Sequence, residues 1–201
     1  MNSRRWLVAL GVLIVGAALA FPLSGEIKNT QARRASDSIL TLLNEVRPQL
    51  RAASPLDACK AGDGSMPVVQ IGSHDYVGSV VMPSLGVELP VAAVADDERL
   101  RECPCRYDGS YFNNDLIVCG EGYRSHFGNL GALGIGDGVL FVSVDGVAYR
   151  YAVSNVETGT LEDVGAYVDD WDLTLFTLAN NDSYLVVRCV RVPDAPGTQA
   201  E

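Results

Sequence analysis

The stretch DLTLFTLANNDSYLVVRCVRV, residues 172–192, reads as two strands joined by a polar turn. Asp172 to Thr177 alternates and is rich in Leu, Thr and Phe. Ala179 to Ser183 supplies turn chemistry, and Tyr184 to Val192 is a second β-rich run. Alternation sets Arg188 level with Val186 and Val190, while Leu185, Val187 and Cys189 point the other way. An arginine at a central strand position needs something that uses its charge.

Working outward from this hairpin, further short β-rich runs cover Val77–Met82, Glu88–Val94, Asp115–Gly120, Val139–Val144 and Val147–Glu157. In the last of these, Val147, Tyr149, Tyr151 and Val153 share one face, and Asp145-Gly146 is a hairpin turn signal. Strands at this spacing, with few helices, predict an all-β fold with minor α, a small closed barrel over residues 68–193. Residues 24–67 read as a stalk helix followed by a linker. Ile39, Leu42, Leu43, Val46 and Leu50 recur at helical spacing, and Pro48 should kink or end the helix. The linker, SPLDACKAGDGSMP, is rich in small and turn-forming residues. Residues 194–201 read as a flexible tail.

Residues 1–23 read as a cytoplasmic tip and a transmembrane anchor. Arg4 and Arg5 precede the uncharged run Trp6–Leu23, which is 18 residues long and at the lower end of what spans a bilayer. The two arginines predict a single-pass topology, with the N-terminus inside and the remaining chain outside the cell. Ala18-Leu19-Ala20 fits a small-residue cleavage site, so a cleaved signal peptide is the alternative.

Beyond the anchor lie 25 acidic and 13 basic residues, a net charge of −12. Such a surface argues against nucleic acid and against anchoring by anionic lipid. Cys59, Cys103, Cys105, Cys119 and Cys189 are too few for a disulfide-built scaffold, and their odd number leaves at least one unpaired within the chain. Cys103-Pro104-Cys105 lacks zinc-knuckle spacing and nearby histidines; a loop thiol or a disulfide to Cys59 is the simpler expectation. No cofactor or metal is expected.

Three segments, VGSVVMPSLGVELPV (77–91), NNDLIVCGEGYRSHFGNLGALGIGDGVLFVSVDGVAYRYAVSNVE (113–157) and the opening stretch, resemble in order and spacing the sortase family. These are membrane-anchored cysteine transpeptidases of Gram-positive cell surfaces. The resemblance covers residues 76–192, and the leader matches as well. It implies an eight-stranded barrel in which a Cys ends one strand, the next carries an Arg, and an earlier strand ends in a His. The Cys attacks the carbonyl of a Leu-Pro-x-Thr-Gly-type sorting signal, the His handles protons, and the Arg steadies the oxyanion. An amine of the cell wall or a pilin then resolves the thioester. A thiolate nucleophile needs a cationic neighbourhood, and the tetrahedral intermediate needs a fixed donor.

Carried over residue by residue, the family's Thr-Leu-x-Thr-Cys matches Thr174-Leu175-Phe176-Thr177-Leu178, where Leu178 stands at the nucleophile position. The family's Gly-His-Asn matches Gly120-Glu121-Gly122, so Glu121 stands at the His position. Arg188 is expected to be the retained oxyanion-type arginine. The chain thus reads as a degenerate sortase without transpeptidase activity. It would bind a sorting-signal-like peptide or a cell-surface protein, with an active sortase as a further candidate partner. Thr174, Thr177, Arg188 and the strand around Glu121 would line the groove. Glu121 is expected to pair with Arg188, with Leu178 packed beside them. The alternatives are a transpeptidase or hydrolase with relocated nucleophile Cys119, with His126 as a candidate base, and a purely structural surface domain.

Overall fold

A computed structural model describes the backbone of residues 3–53, 66–165, 170–180 and 182–193, with side chains described from residue 25 onward except those of 51–53 and 165. A 51-residue helix, α1 (Ser3–Ala53), comes first. Nine strands follow: β1 (Val69–Ile71), β2 (His74–Met82), β3 (Val87–Ala92), β4 (Cys105–Asp108), β5 (Leu116–Cys119), β6 (Gly138–Ser143), β7 (Ala148–Gly159), β8 (Leu173–Asn180) and β9 (Ser183–Arg191). Two short helices, α2 (Asp97–Leu100) and α3 (Leu161–Gly165), interrupt them.

The strands run in the order β1-β2-β3-β4-β5-β8-β9-β7-β6, and β6 also pairs with β2. That second pairing closes β2 to β9 into an eight-stranded ring, with β1 as an outer addition to β2. Closure removes the unpaired edges that an open sheet would present. The pairing is antiparallel except for β3–β4 and β5–β8. The sequence reading anticipated the barrel but not β1 or β4. β1 is three residues long, and β4 (Cys-Arg-Tyr-Asp) carries two charges in four positions, so neither has a legible alternation.

Two apolar layers flank the β5–β8–β9 wall. Leu116, Val118, Leu173, Leu175, Val187 and Cys189 fill the barrel with Phe141 and Tyr151. The alternate residues Ile117, Cys119, Phe176 and Val186 belong to a second buried cluster, with Cys103, Cys105, Tyr76, Val164 and α1's Ile39 and Leu43. Strands covered on both faces read as continuous apolar runs, which explains Leu-Ile-Val-Cys in β5. Ala32, Ser36, Ile39 and Leu43 of α1 are buried at helical spacing. Arg47 completes the seam by donating to Ser79 Oγ at 2.6 Å.

Pro48 does not end the helix, which continues to Ala53. Pro48 and Asn44 both face solvent, so the carbonyl that proline leaves unpaired meets water. Among the described residues, no helix is long and apolar enough to cross a membrane. The side chains of the expected span Trp6–Leu23 lie outside the described residues, as do the linker from 54 to 65 with Cys59, and the tail from 194.

Candidate functional site

The β8–β9 hairpin fixes the geometry. Its register sets Leu178 directly across from Tyr184, Phe176 across from Val186, and Thr174 across from Arg188. Arg188 therefore lies four residues from Leu178 along the ladder, about 13 Å at strand rise. β5 runs parallel on the other side, with Cys119 level with Phe176 and the Gly120 N–H donating to the Phe176 carbonyl at 3.1 Å. Continuing that register sets Glu121 level with Leu178. The structure thus brings together positions 121, 178 and 184, and leaves Arg188 apart from them.

Arg188 is 1% exposed, the largest fully buried side chain among the described residues. Its Nε donates to Glu157 Oε1 at 3.0 Å, and one terminal nitrogen donates to Thr174 Oγ1 and the Val164 carbonyl, both at 3.1 Å. The other donates to the Asp163 carbonyl at 2.5 Å. The guanidinium thus caps the last carbonyls of α3, where a cation complements the helix dipole. The first turn of α3 is held by Asp163 and Thr160, whose N–H and hydroxyl donate to Asp163 Oδ2 at 2.7 and 2.9 Å. Those two bonds hold the Asp163 carboxyl below the usual aspartate range.

The expected Glu121–Arg188 pair is therefore replaced by a Glu157–Arg188 pair, with Leu178 outside it. The reason is register: Glu157 on β7 stands across from Val186, diagonal to Arg188, whereas Glu121 is level with a residue four positions away. Leu178 is 51% exposed. Around it the outer face carries an aromatic row: the Phe176 ring packs edge-on against Tyr107 at 5.2 Å and Tyr184 at 5.7 Å. Tyr107 is 47% exposed, so this row opens to solvent at one side.

Thr174 and Thr177 are both buried. The Thr174 hydroxyl is committed to Arg188, and no described group hydrogen-bonds the Thr177 hydroxyl. Gly122 lies against both Leu178 and Thr177; a Cβ there would stand 3.6 Å from the Leu178 carbonyl and 3.8 Å from Thr177 Oγ1. Gly120 is required by close approach, since a Cβ would sit 2.7 Å from the Phe127 ring.

Cys119, the relocated-nucleophile candidate, is 7% exposed. Its thiol donates to the Cys105 carbonyl at 3.5 Å, and burial pushes its pKa up to about 12. At neutral pH that suppresses the thiolate a nucleophile requires. Cys189 points into the barrel and is likewise raised to about 12 by burial.

His126 is buried where the loop 123–128 docks on α1. Its Nε2 lies 3.2 Å from Ser36 Oγ, and that hydroxyl donates to the Glu102 carbonyl at 2.7 Å. The serine's only proton is therefore committed, so the imidazole Nε2 is the donor between them. Beside it the Ser125 N–H donates to Asn29 Oδ1 at 2.8 Å. Burial lowers the His126 pKa to about 4, which keeps it neutral. It fastens the 123–128 loop to α1 through Ser36.

Tyr184 is the residue that sequence reasoning missed. The signal was present: counting outward from the turn Asn180–Ser183 pairs Arg188 with Thr174 or Leu175, and 178 with 184 or its neighbour.

No protein-family model and no curated protein matches the chain. Solved structures do. Sortase C1 from Streptococcus agalactiae superposes with a TM-score of 0.55 at 21% identity, over 79% of this chain and 90% of that one. Sortase A from Corynebacterium diphtheriae gives 0.54 at 17% identity, over 89% and 98%. A Clostridium perfringens sortase D5 transpeptidase gives 0.56 at 11% identity, over 82% and 99%. The ring closure, the strand order and these three superpositions agree: the chain has the sortase fold.

Proposed function

We propose that this chain is a membrane-anchored, cell-surface sortase-fold protein that binds a peptide and does not transfer it. The observation that carries this reading is Leu178. The resemblance assigns this position to the nucleophile, and an exposed apolar side chain stands there instead, level with a carboxylate at 121 and opposite a tyrosine at 184. The four described cysteines are buried, so among the described residues no thiol is open to a bound peptide. The row Tyr107–Phe176–Tyr184, with Leu178 beside it, suits apolar and proline side chains of an extended, sorting-signal-like segment. The anchor Trp6–Leu23 would hold the barrel at the outer surface of the membrane, where an active sortase and its substrates work.

A fluorogenic Leu-Pro-x-Thr-Gly peptide and an amine acceptor test this reading. Saturable peptide binding without turnover, weakened at least tenfold by Leu178→Asp, is the expected result. Turnover abolished by Cys119→Ser would establish the relocated-nucleophile reading instead. Neither binding nor turnover would leave a purely structural surface domain.

A further inference from the structure

Cys103, Cys105 and Cys119 lie together, and nothing in the peptide-binding reading uses them. All three belong to the buried cluster on the outer face of the barrel, with Tyr76, Ile117 and Phe176. Cys105 and Cys119 are directly opposite partners on the antiparallel β4–β5 pair. Directly opposite residues hold their Cβ atoms about 4.5–5.5 Å apart, within a small adjustment of the separation a disulfide spans. The sulfurs are already turned toward the same strip of backbone: Cys119 Sγ lies 3.5 Å from the Cys105 carbonyl, and Cys105 Sγ lies 3.5 Å from the Cys103 carbonyl. Among the described residues no group of ligands is arranged to hold a metal ion, so this thiol cluster is not a metal site. Cys189 is on the other side of the wall, inside the barrel, and cannot join it.

We propose that Cys105 and Cys119 are joined as a cross-strand disulfide in the exported protein. This rests on the extracellular placement proposed above, because disulfides persist in oxidising compartments. The oxidant is a small-molecule disulfide or a thiol–disulfide oxidoreductase. The thiolate of one cysteine attacks the oxidant's disulfide, forming a mixed disulfide and releasing one thiol. The thiolate of the other then attacks the protein sulfur of that mixed disulfide, forming the Cys105–Cys119 bond and releasing the second thiol. The two protons of the protein thiols end on the two released thiols, and two electrons pass to the oxidant, so the exchange releases no net proton. The exchange belongs to the folding chain, because burial makes both thiols poor nucleophiles once the cluster has closed. The bond ties β4 to β5 next to the Gly120-Glu121-Gly122 segment and removes Cys119 from any covalent chemistry.

Tryptic mapping of the full chain without reductant, after export from a Gram-positive host and alkylation under denaturing conditions, tests the proposal. Trypsin releases Glu102–Arg106 and Tyr107–Arg124, so a 105–119 bond appears as these two peptides linked. Fragmentation at the Cys103–Pro104 bond then distinguishes Cys105 from Cys103. The expected result is that linked pair, with Cys103 outside it, and a melting temperature that falls by roughly 5–10 °C on reduction. Alkylation of Cys105 and Cys119 as free thiols, or a bond from either to another cysteine, would overturn it. A parallel sample refolded in a glutathione redox buffer separates the two premises. A bond formed in the buffer but absent from the host-derived protein sinks oxidation of the exported protein and keeps the geometry of the pair. Its absence from both sinks the pair.

Discussion

Glu157 on β7 meets Arg188 on β9 at 3.0 Å, diagonally across the ladder, and the same guanidinium closes off the end of α3. An arginine that resemblance assigns to an oxyanion is thereby given to architecture. It fastens the β7–α3 junction to the barrel wall, and its donors are directed at groups of the protein itself.

Replacing Arg188 should therefore damage stability. Arg188→Met removes the cation and frees the Asp163 and Val164 carbonyls and the Thr174 hydroxyl, at a cost of about 3 kcal/mol. Glu157→Gln keeps an acceptor at a position 40% exposed, so its cost should stay near 1 kcal/mol. Urea denaturation gives both numbers. Equal and negligible losses would contradict the clamp.

The ladder geometry also predicts how catalysis could be rebuilt. Leu178→Cys with Glu121→His supplies a thiol and an imidazole at level positions, but Arg188 stays committed four residues away. Adding Tyr184→Arg places a guanidinium directly across from position 178. Peptide hydrolysis by the triple variant should exceed that of the double variant by 10-fold or more, as expected for one added oxyanion donor. A double variant as active as the triple would show that Arg188 reaches the site after all.

His126 should make stability depend on pH below neutrality. Its folded pKa of about 4 lies below the ordinary 6.5, so the unfolded chain binds the proton first as pH falls. Stability is fully present above pH 6.5 and is lost progressively toward pH 4, by roughly 3 kcal/mol for this group alone. His126→Gln can still donate to Ser36 and should flatten that slope. Denaturation midpoints at pH 7, 5.5 and 4.5 would reveal it, together with earlier hydrogen exchange in residues 123–128.

The Cys119 thiol should be inert while the barrel is folded. With a pKa of about 12, its thiolate fraction at pH 7.5 is on the order of 10⁻⁴ to 10⁻⁵. In fully reduced protein, iodoacetamide should label Cys119 at the rate of global opening, and far faster in 6 M guanidinium. Rapid stoichiometric labelling of the native state, read by peptide mass spectrometry, would restore it as a nucleophile candidate.

The barrel was legible because alternation and turn signals are local, and seven of the nine strands carry enough of both. β1 and β4 escaped because short or charged strands owe their existence to neighbours, not to their own pattern. The site was legible in part. Positions 121 and 178 follow from aligned motifs and do come level. Arg188 was misplaced because sequence spacing alone does not say which residue faces which across a hairpin; the turn centre does, and a shift of a few residues moves a charge by 10 Å or more. Glu157 was invisible as a partner because its approach depends on the β7–β9 pairing, which joins segments about 30 residues apart.

The strand order has a bearing on biogenesis. β8 and β9 are last in the chain but sit in the middle of the ring, between β5 and β7. A chain made from the N-terminus onward holds two raw sheet margins until residue 191 has been added. Closure is therefore a late event, complete only once the last two strands are in place. A stop codon anywhere before residue 172 should yield not a smaller barrel but a sticky, protease-sensitive sheet.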